Sequence, residues 1–181
     1  MLIRHADPAR DAGACAAIYA PFVLSTPISF EEVPPGESEL ARRIERVSAT
    51  HPWLVAELDG TLAGYAYASA HRERASYRWA ADVAVYVASA SHRRGVGREL
   101  YRSLLSLLAR QGLRTACAGI TLPNSASVGL HESLGFTQAG VFRSIGYKLG
   151  SWRDVGWWQL QLAEPQLQPP PEPGPPIRAQ S

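Results

Sequence analysis

The stretch A-A-D-V-A-V-Y-V-A-S-A-S-H-R-R-G-V-G-R-E-L at positions 80–100 constrains this chain more than any other. Val83, Val85 and Val87 alternate with Asp82, Ala84 and Tyr86, the period-two signature of a strand. From Val96 onward Leu100, Leu104, Leu107 and Leu108 recur at helical spacing, with Glu99, Arg102, Ser103, Ser106 and Arg110 on the other face. Arg93, Arg94, Gly95, Val96, Gly97 and Arg98 therefore sit where a strand turns into a helix. Glycines there let backbone N–H groups approach a ligand closely, and the helix N-terminus adds partial positive charge. The turn is a candidate phosphate cradle ringed by arginines, although a glycine turn of this kind also serves plain packing. It lacks the third glycine of a dinucleotide fingerprint and the G-K-[ST] ending of a P-loop, which sets both motifs aside.

Around this unit the chain reads as one alternating α/β domain. Leu2 to His5 is a strand, and Asp7-Pro8 caps and opens a helix expected to run to about Phe22. Leu24 to Pro35 is a proline-interrupted loop, long enough to suggest function. Glu37 to Ala49 predicts a second helix, and Asp59-Gly60 a hairpin joining strands at 53–58 and 62–69. After the phosphate turn and its helix, Arg114 to Thr121 is a strand. Asn124 caps a helix that stops at Gly135, and strands at 136–149 and 152–162 close the domain. The result is a mixed sheet covered by helices. Residues 165–181, dense in proline, are expected to form a disordered or polyproline tail outside a domain spanning 1–164.

Composition narrows the functional classes. The 181 residues suffice for one substantial core, and a net charge of +2 from scattered arginines does not suggest nucleic acid. Cys15 and Cys117 lack metal spacing and read as buried thiols, so no metal and a reducing, cytoplasmic setting are expected. No apolar run approaches the ~18 residues that would suggest a membrane span.

The six residues from His92 to Gly97 resemble the [QR]-x-x-G-x-[GA] pyrophosphate turn of the GCN5-related N-acetyltransferases (GNAT), with His92 in place of Gln or Arg. Four further stretches extend the resemblance: I-Y-A-P-F-V-L-S-T-P-I-S-F-E-E-V-P-P, R-x-R-x-S-Y-R-W, L-P-N-S-A-S-V-G-L-H-E-S-L-G-F and G-Y-K-L-G-S-W-R-D-V-G-W-W-Q. Together they are similar to the phosphinothricin N-acetyltransferase group over about residues 1 to 163. The resemblance implies a GNAT fold, with a mostly antiparallel mixed sheet and helices on both faces. It also implies acetyl-CoA as co-substrate and a homodimer. Its small-molecule amine substrate would be of the phosphinothricin, methionine sulfoximine or methionine sulfone type.

Residue by residue, the resemblance implies that acetyl-CoA lies along the backbone of Val85, Tyr86 and Val87. Its phosphates would rest on Arg93, Arg94, Gly95, Val96, Gly97 and Arg98, with Asn124 as a pantetheine partner besides being a helix cap. Asp82 stands where the group has a glutamate base, one methylene shorter, so a bridging water enters the expectation. His131, seven residues beyond Asn124 and so on nearly the same helix face, is the matching acid or base; the bland alternative is a histidine satisfied by a carbonyl. Arg72 and Arg74 would hold the acceptor's anionic group, with Phe30 and Glu31 closing its pocket. Alternatives are acetylation of a protein N-terminus or polyamine, or a non-catalytic acyl-CoA-binding module kept open by Asp82.

Overall fold

In the computed structural model, described for residues 1–164, 168 and 170–177, seven strands form one sheet. In chain order the elements are β1 (Leu2–His5), α1 (Pro8–Ser25), α2 (Glu37–Ser48), β2 (Trp53–Leu58), β3 (Thr61–Ala70), β4 (Ala80–Val87), α3 (Val96–Gln111), β5 (Thr115–Leu122), α4 (Ser125–Glu132), β6 (Thr137–Lys148) and β7 (Ser151–Gln161). The sheet order is β1-β2-β3-β4-β5-β7-β6, antiparallel throughout except for the parallel β4–β5 pair. This is the expected α/β architecture.

The strand periodicity sorts the sheet into two cores. Leu54, Ala56, Ala66, Ala68 and Val83 pack on α3 with Leu100, Tyr101, Leu104 and Leu108. Trp53, Val55 and Tyr65 point the other way, onto Ala12, Cys15, Tyr19, Leu40 and Ile44 of α1 and α2. Asp7 caps α1, accepting from the N–H groups of Ala9 and Arg10. That helix runs three residues past the expected Phe22, through Pro21. Burial of Val23, the Phe22–Tyr86 ring contact at 5.3 Å and a Thr26 hydroxyl donating to Phe22 O hold its last turn.

The feature that makes a site is the incomplete β4–β5 pair. β4 pairs with β5 only from Ala80 to Asp82, against Thr115 to Cys117. Beyond it β4 stays registered on β3 as far as Val87, and β5 on β7 as far as Leu122, so the two strands part.

Much of the proline-rich tail lies outside the described residues: 165–167, 169 and 178–181. Residues 170–177 lie against the body. Trp79 Nε1 donates to Pro171 O at 3.0 Å, Arg78 meets Glu172 at 3.3 Å, and Gln111 donates to Gly174 O at 3.0 Å.

Candidate active site

Backbone direction decides what the parting strands offer. Ala80 O accepts from His71 N and Ala88 N donates to Ala63 O, both toward β3. Hydrogen-bonding groups alternate sides along a strand, so Val83 N–H closes the last rung to β5 and the N–H groups of Val85 and Val87 face the opening. Tyr86 turns its backbone to β3, and its ring packs with Tyr19, Phe22 and Tyr65 at 4.8, 5.3 and 5.4 Å. Of the three expected backbone partners, Val85 and Val87 thus present donors and Tyr86 presents a wall.

Below the opening lies the phosphate turn. Arg93 and Gly95 both adopt left-handed backbone, at φ 60° and 82°, which Gly95 tolerates without strain. Gly95 is the N-cap of α3 and supplies no side-chain cap, so the first N–H groups of the helix point outward unclaimed by any cap. A Cβ on Gly97 would stand 3.3 Å from Leu130 and 3.6 Å from Val87, inside the cleft. That cleft, about 630 Å³, is lined by Val85, Val87, Gly95, Gly97, Arg98 and Asn124 among others. Uncapped N–H groups, no side chain at Gly95 or Gly97, and exposed Arg93, Arg94 and Arg98 fit a pyrophosphate. Arg94 also reaches Asp59 at 3.6 Å, and Arg98 the Ser133 hydroxyl at 3.2 Å. His92, itself exposed, is tied to the strand end instead, its Nε2 donating to Val87 O at 3.1 Å.

Asn124 caps α4 through the N–H of Ser127 and also lines the cleft. His131 is buried at the other end of that helix. Its Nδ1 donates to Ser127 O at 2.7 Å, which leaves Nε2 to accept from the Tyr101 hydroxyl at 3.0 Å. Burial pushes its pKa down against the opposing Ser127 bond, so the ring is neutral with both nitrogens occupied. With Tyr101 it lines a cavity of about 70 Å³ that adjoins the cleft and reaches Ile28 on the far side of the opening.

On that far side, beneath α1 and α2, lie the acceptor candidates. Asp82 Oδ1 accepts from His71 Nδ1 at 2.6 Å. Burial raises the Asp82 pKa above the ordinary carboxylate value, while His71 and Arg72 pull against it. Cys117 is alongside, its thiol pushed up to about 11 by burial and by Asp82. The three potential ligand atoms lie within 4.8 Å of one another, but 2.6 Å between nitrogen and oxygen is a hydrogen bond. Two ligands of one tetrahedral zinc would sit about 3.3 Å apart. Arg72 lies over the Trp157 ring at 5.8 Å, and Arg74 is exposed. Trp157 Nε1 is buried with no hydrogen-bond partner among the described residues.

The long loop is latched down. Glu31 accepts from Tyr19 at 2.9 Å and from both terminal nitrogens of Arg43 at 2.8 and 3.1 Å, which hold its pKa low against burial. Lys148 donates to Glu31 O, and Thr121 to Ile28 O. Phe30 lies flat on Gly146, where any Cβ would collide with its ring. Phe30 therefore borders the acceptor side, whereas the Glu31 carboxylate is spent on the latch. Sequence reasoning missed His71, Tyr101 and Trp157. For His71 a signal existed, since the hairpin register pairing Ala70 with Ala81 places it diagonal to Asp82.

The acetyltransferase (GNAT) domain family model matches residues 3–157. A phosphinothricin N-acetyltransferase of Streptomyces viridochromogenes is 39% identical over 93% of this chain and 91% of its own. An L-methionine sulfoximine/L-methionine sulfone acetyltransferase of Salmonella typhimurium is 36% identical over 91% of this chain and 96% of its own. The Sinorhizobium meliloti phosphinothricin acetyltransferase, solved in complex with acetyl-CoA, superposes with a TM-score of 0.89 at 33% identity, over 93% of this chain and 92% of that one. No helix among the described residues is long and apolar enough to cross a membrane. This chain belongs to the GNAT acetyltransferase family and is an N-acetyltransferase of its phosphinothricin acetyltransferase-like group.

Proposed function

We propose that residues 1–164 transfer the acetyl group of acetyl-CoA directly to the primary amine of a small amino-acid-like substrate with an anionic group. Phosphinothricin, methionine sulfoximine and methionine sulfone are the leading acceptors. The observation that carries this is the opening beyond Asp82, which has the phosphate cleft on one face and the Asp82, Arg72 and Trp157 cluster on the other. Donor and acceptor then meet through the sheet without an enzyme-bound acetyl group. Acetyl-CoA supplies the activated acyl group.

Each residue has a defined task in this reading. Gly95, Val96, Gly97 and the arginines at 93, 94 and 98 neutralise the pyrophosphate. Asn124 lines the pantetheine path, and the Val85 and Val87 N–H groups polarise the thioester carbonyl as fixed donors. Arg72 and Arg74 take the anionic group of the acceptor, with Phe30 bounding its pocket. Asp82 belongs to the base that removes the ammonium proton. His131, neutral and bonded at both nitrogens, fixes Tyr101 and the floor of the cavity rather than donating a proton. The latched loop closes the groove that a protein N-terminus would need, which favours the small-molecule reading.

Exposed Phe142, Ile145, Tyr147 and Trp152 on the outer β6–β7 hairpin support a homodimer. Thiol release with the three acceptors, together with mass-spectrometric detection of the acetylated product, tests the activity. Intersecting double-reciprocal plots are expected. Acetylation of the protein by acetyl-CoA alone would refute direct transfer.

A further inference from the structure

We infer that the general base is a His71–Asp82 pair, in which His71 Nε2 takes the proton and Asp82 orients the ring. The inference deepens the proposed function and rests on it. A carboxylate only accepts, so the 2.6 Å contact between His71 Nδ1 and Asp82 Oδ1 fixes the hydrogen on Nδ1. The lone pair is then on Nε2, at the far side of the ring, and no protein group occupies that atom among the described residues. The ring is held from several directions. The backbone N–H of His71 donates to Ala80 O, and the ring meets Tyr77 edge-on at 5.7 Å and Trp157 at 5.9 Å.

Reach is what makes the second residue necessary. Asp82 lies at the last β4–β5 pair, short of the Val85 and Val87 donors, and has a single methylene between backbone and carboxylate. Interposing an imidazole carries the acceptor atom outward by the width of a ring. It lands beside Trp157 and Arg72, where the acceptor's anionic group would anchor its amine. The titratable and charged groups facing His71 are Asp82 on β4, Cys117 on β5, and Arg72 and Tyr77 on its own loop. Asp82 is the one carboxylate among them, and it stabilises the imidazolium that forms.

The protons balance as follows. The ammonium gives one proton to His71 Nε2, Asp82 stays ionised, and the freed amine attacks the thioester carbon as the C–S bond breaks. The second amine proton leaves with the departing thiolate as free thiol, and His71 returns its proton to water.

The test compares wild type, His71→Ala and Asp82→Ala, with ring-nitrogen NMR on the free enzyme beside amine kinetics. His71→Ala should lose about 100-fold in kcat, with unchanged acetyl-CoA affinity and Tm, and free imidazole should restore part of that loss. The acidic limb of the wild-type pH profile should vanish with the ring. The free enzyme should show the Nδ1–H tautomer at His71, shifting toward Nε2–H in Asp82→Ala. A His71→Ala enzyme with wild-type kcat and pH profile, or a wild-type His71 in the Nε2–H form, would overturn the pair and leave Asp82 acting alone. Absence of turnover by wild type with every amine would instead overturn the proposed function, and this inference with it.

Discussion

Replacing Glu31 by Ala unlatches the long loop, and the cost can be worked from its contacts. The substitution removes one hydrogen bond from Tyr19 at 2.9 Å and a two-pronged Arg43 contact at 2.8 and 3.1 Å. The Arg43 side chain is 29% exposed and that of Glu31 36%, so the ion pair is discounted to about 1 kcal/mol. The Tyr19 bond adds about 1 kcal/mol. Roughly 2 kcal/mol corresponds to about a 30-fold shift of the loop toward its open form. Lys148 and Thr121 still hold the backbone at Glu31 O and Ile28 O, so the loop loosens without detaching. Hydrogen exchange reads that shift directly, as a roughly 30-fold loss of protection for amides in residues 26–33. The KM for the amine should rise by at most the same factor, in proportion to the closed fraction lost, while the KM for acetyl-CoA stays put. Unchanged exchange in residues 26–33 would refute the latch.

Gly97→Val places methyl groups in the cleft, its Cβ alone being 3.3 Å from Leu130. The Kd for acetyl-CoA should rise by on the order of tenfold with little change in Tm, as read by isothermal titration and melting. Arg4→Met strips the two-pronged cation from Asp11, whose side chain is only 3% exposed, and leaves Arg10 at 3.8 Å. A loss of about 3–5 kcal/mol should lower Tm by roughly 6–20 °C. Burial pushes the Asp11 pKa up, but Arg4 and the Asp7 N–H outweigh it and hold the folded value below the unfolded one. Its contribution is therefore complete above the unfolded pKa of about 4 and lost as pH falls through the folded value, and acid titration of Arg4→Met should lack that step. Truncation after Glu164 removes the Pro171, Glu172 and Gly174 contacts. It should cost about 1–2 kcal/mol and raise hydrogen exchange at residues 75–79; no change in either would mark the tail as dispensable.

Periodicity made the elements legible because each strand and helix buries one face: Val83, Val85 and Val87 on one side, Leu100, Leu104 and Leu108 against them. The turn at Gly95 was legible for a local reason, since left-handed backbone before a helix is a glycine signature. What stayed hidden depends on neighbours distant in sequence. The contacts that fix Glu31 come from Tyr19 and Arg43 on two separate helices. The bond between His131 and Tyr101, thirty residues earlier, lies beyond any local pattern. The tail's composition gave no hint of Gln111, which donates to both Thr50 O and Gly174 O.

The parting of β4 from β5 is the one element that no local pattern encodes, and its energetics explain its use. A buried backbone N–H without a partner costs about 1–3 kcal/mol, so zipping the strands further would satisfy Val85 and Val87. Two commitments prevent it. β5 is registered on β7 along its whole length, with the Trp157 ring 3.4 Å from where a Cβ on Gly119 would stand, and β4 is registered on β3 to Val87. Each strand is thus held by its outer neighbour, and the donors between them stay fixed and unpaired before any substrate arrives. Fixed donors need no reorganisation when charge develops on a thioester oxygen, whereas donors freed only by breaking a ladder would. In the proposed direct transfer, the same separation that leaves β4 unsatisfied is what lets the amine reach the thioester carbon from the opposite face of the sheet.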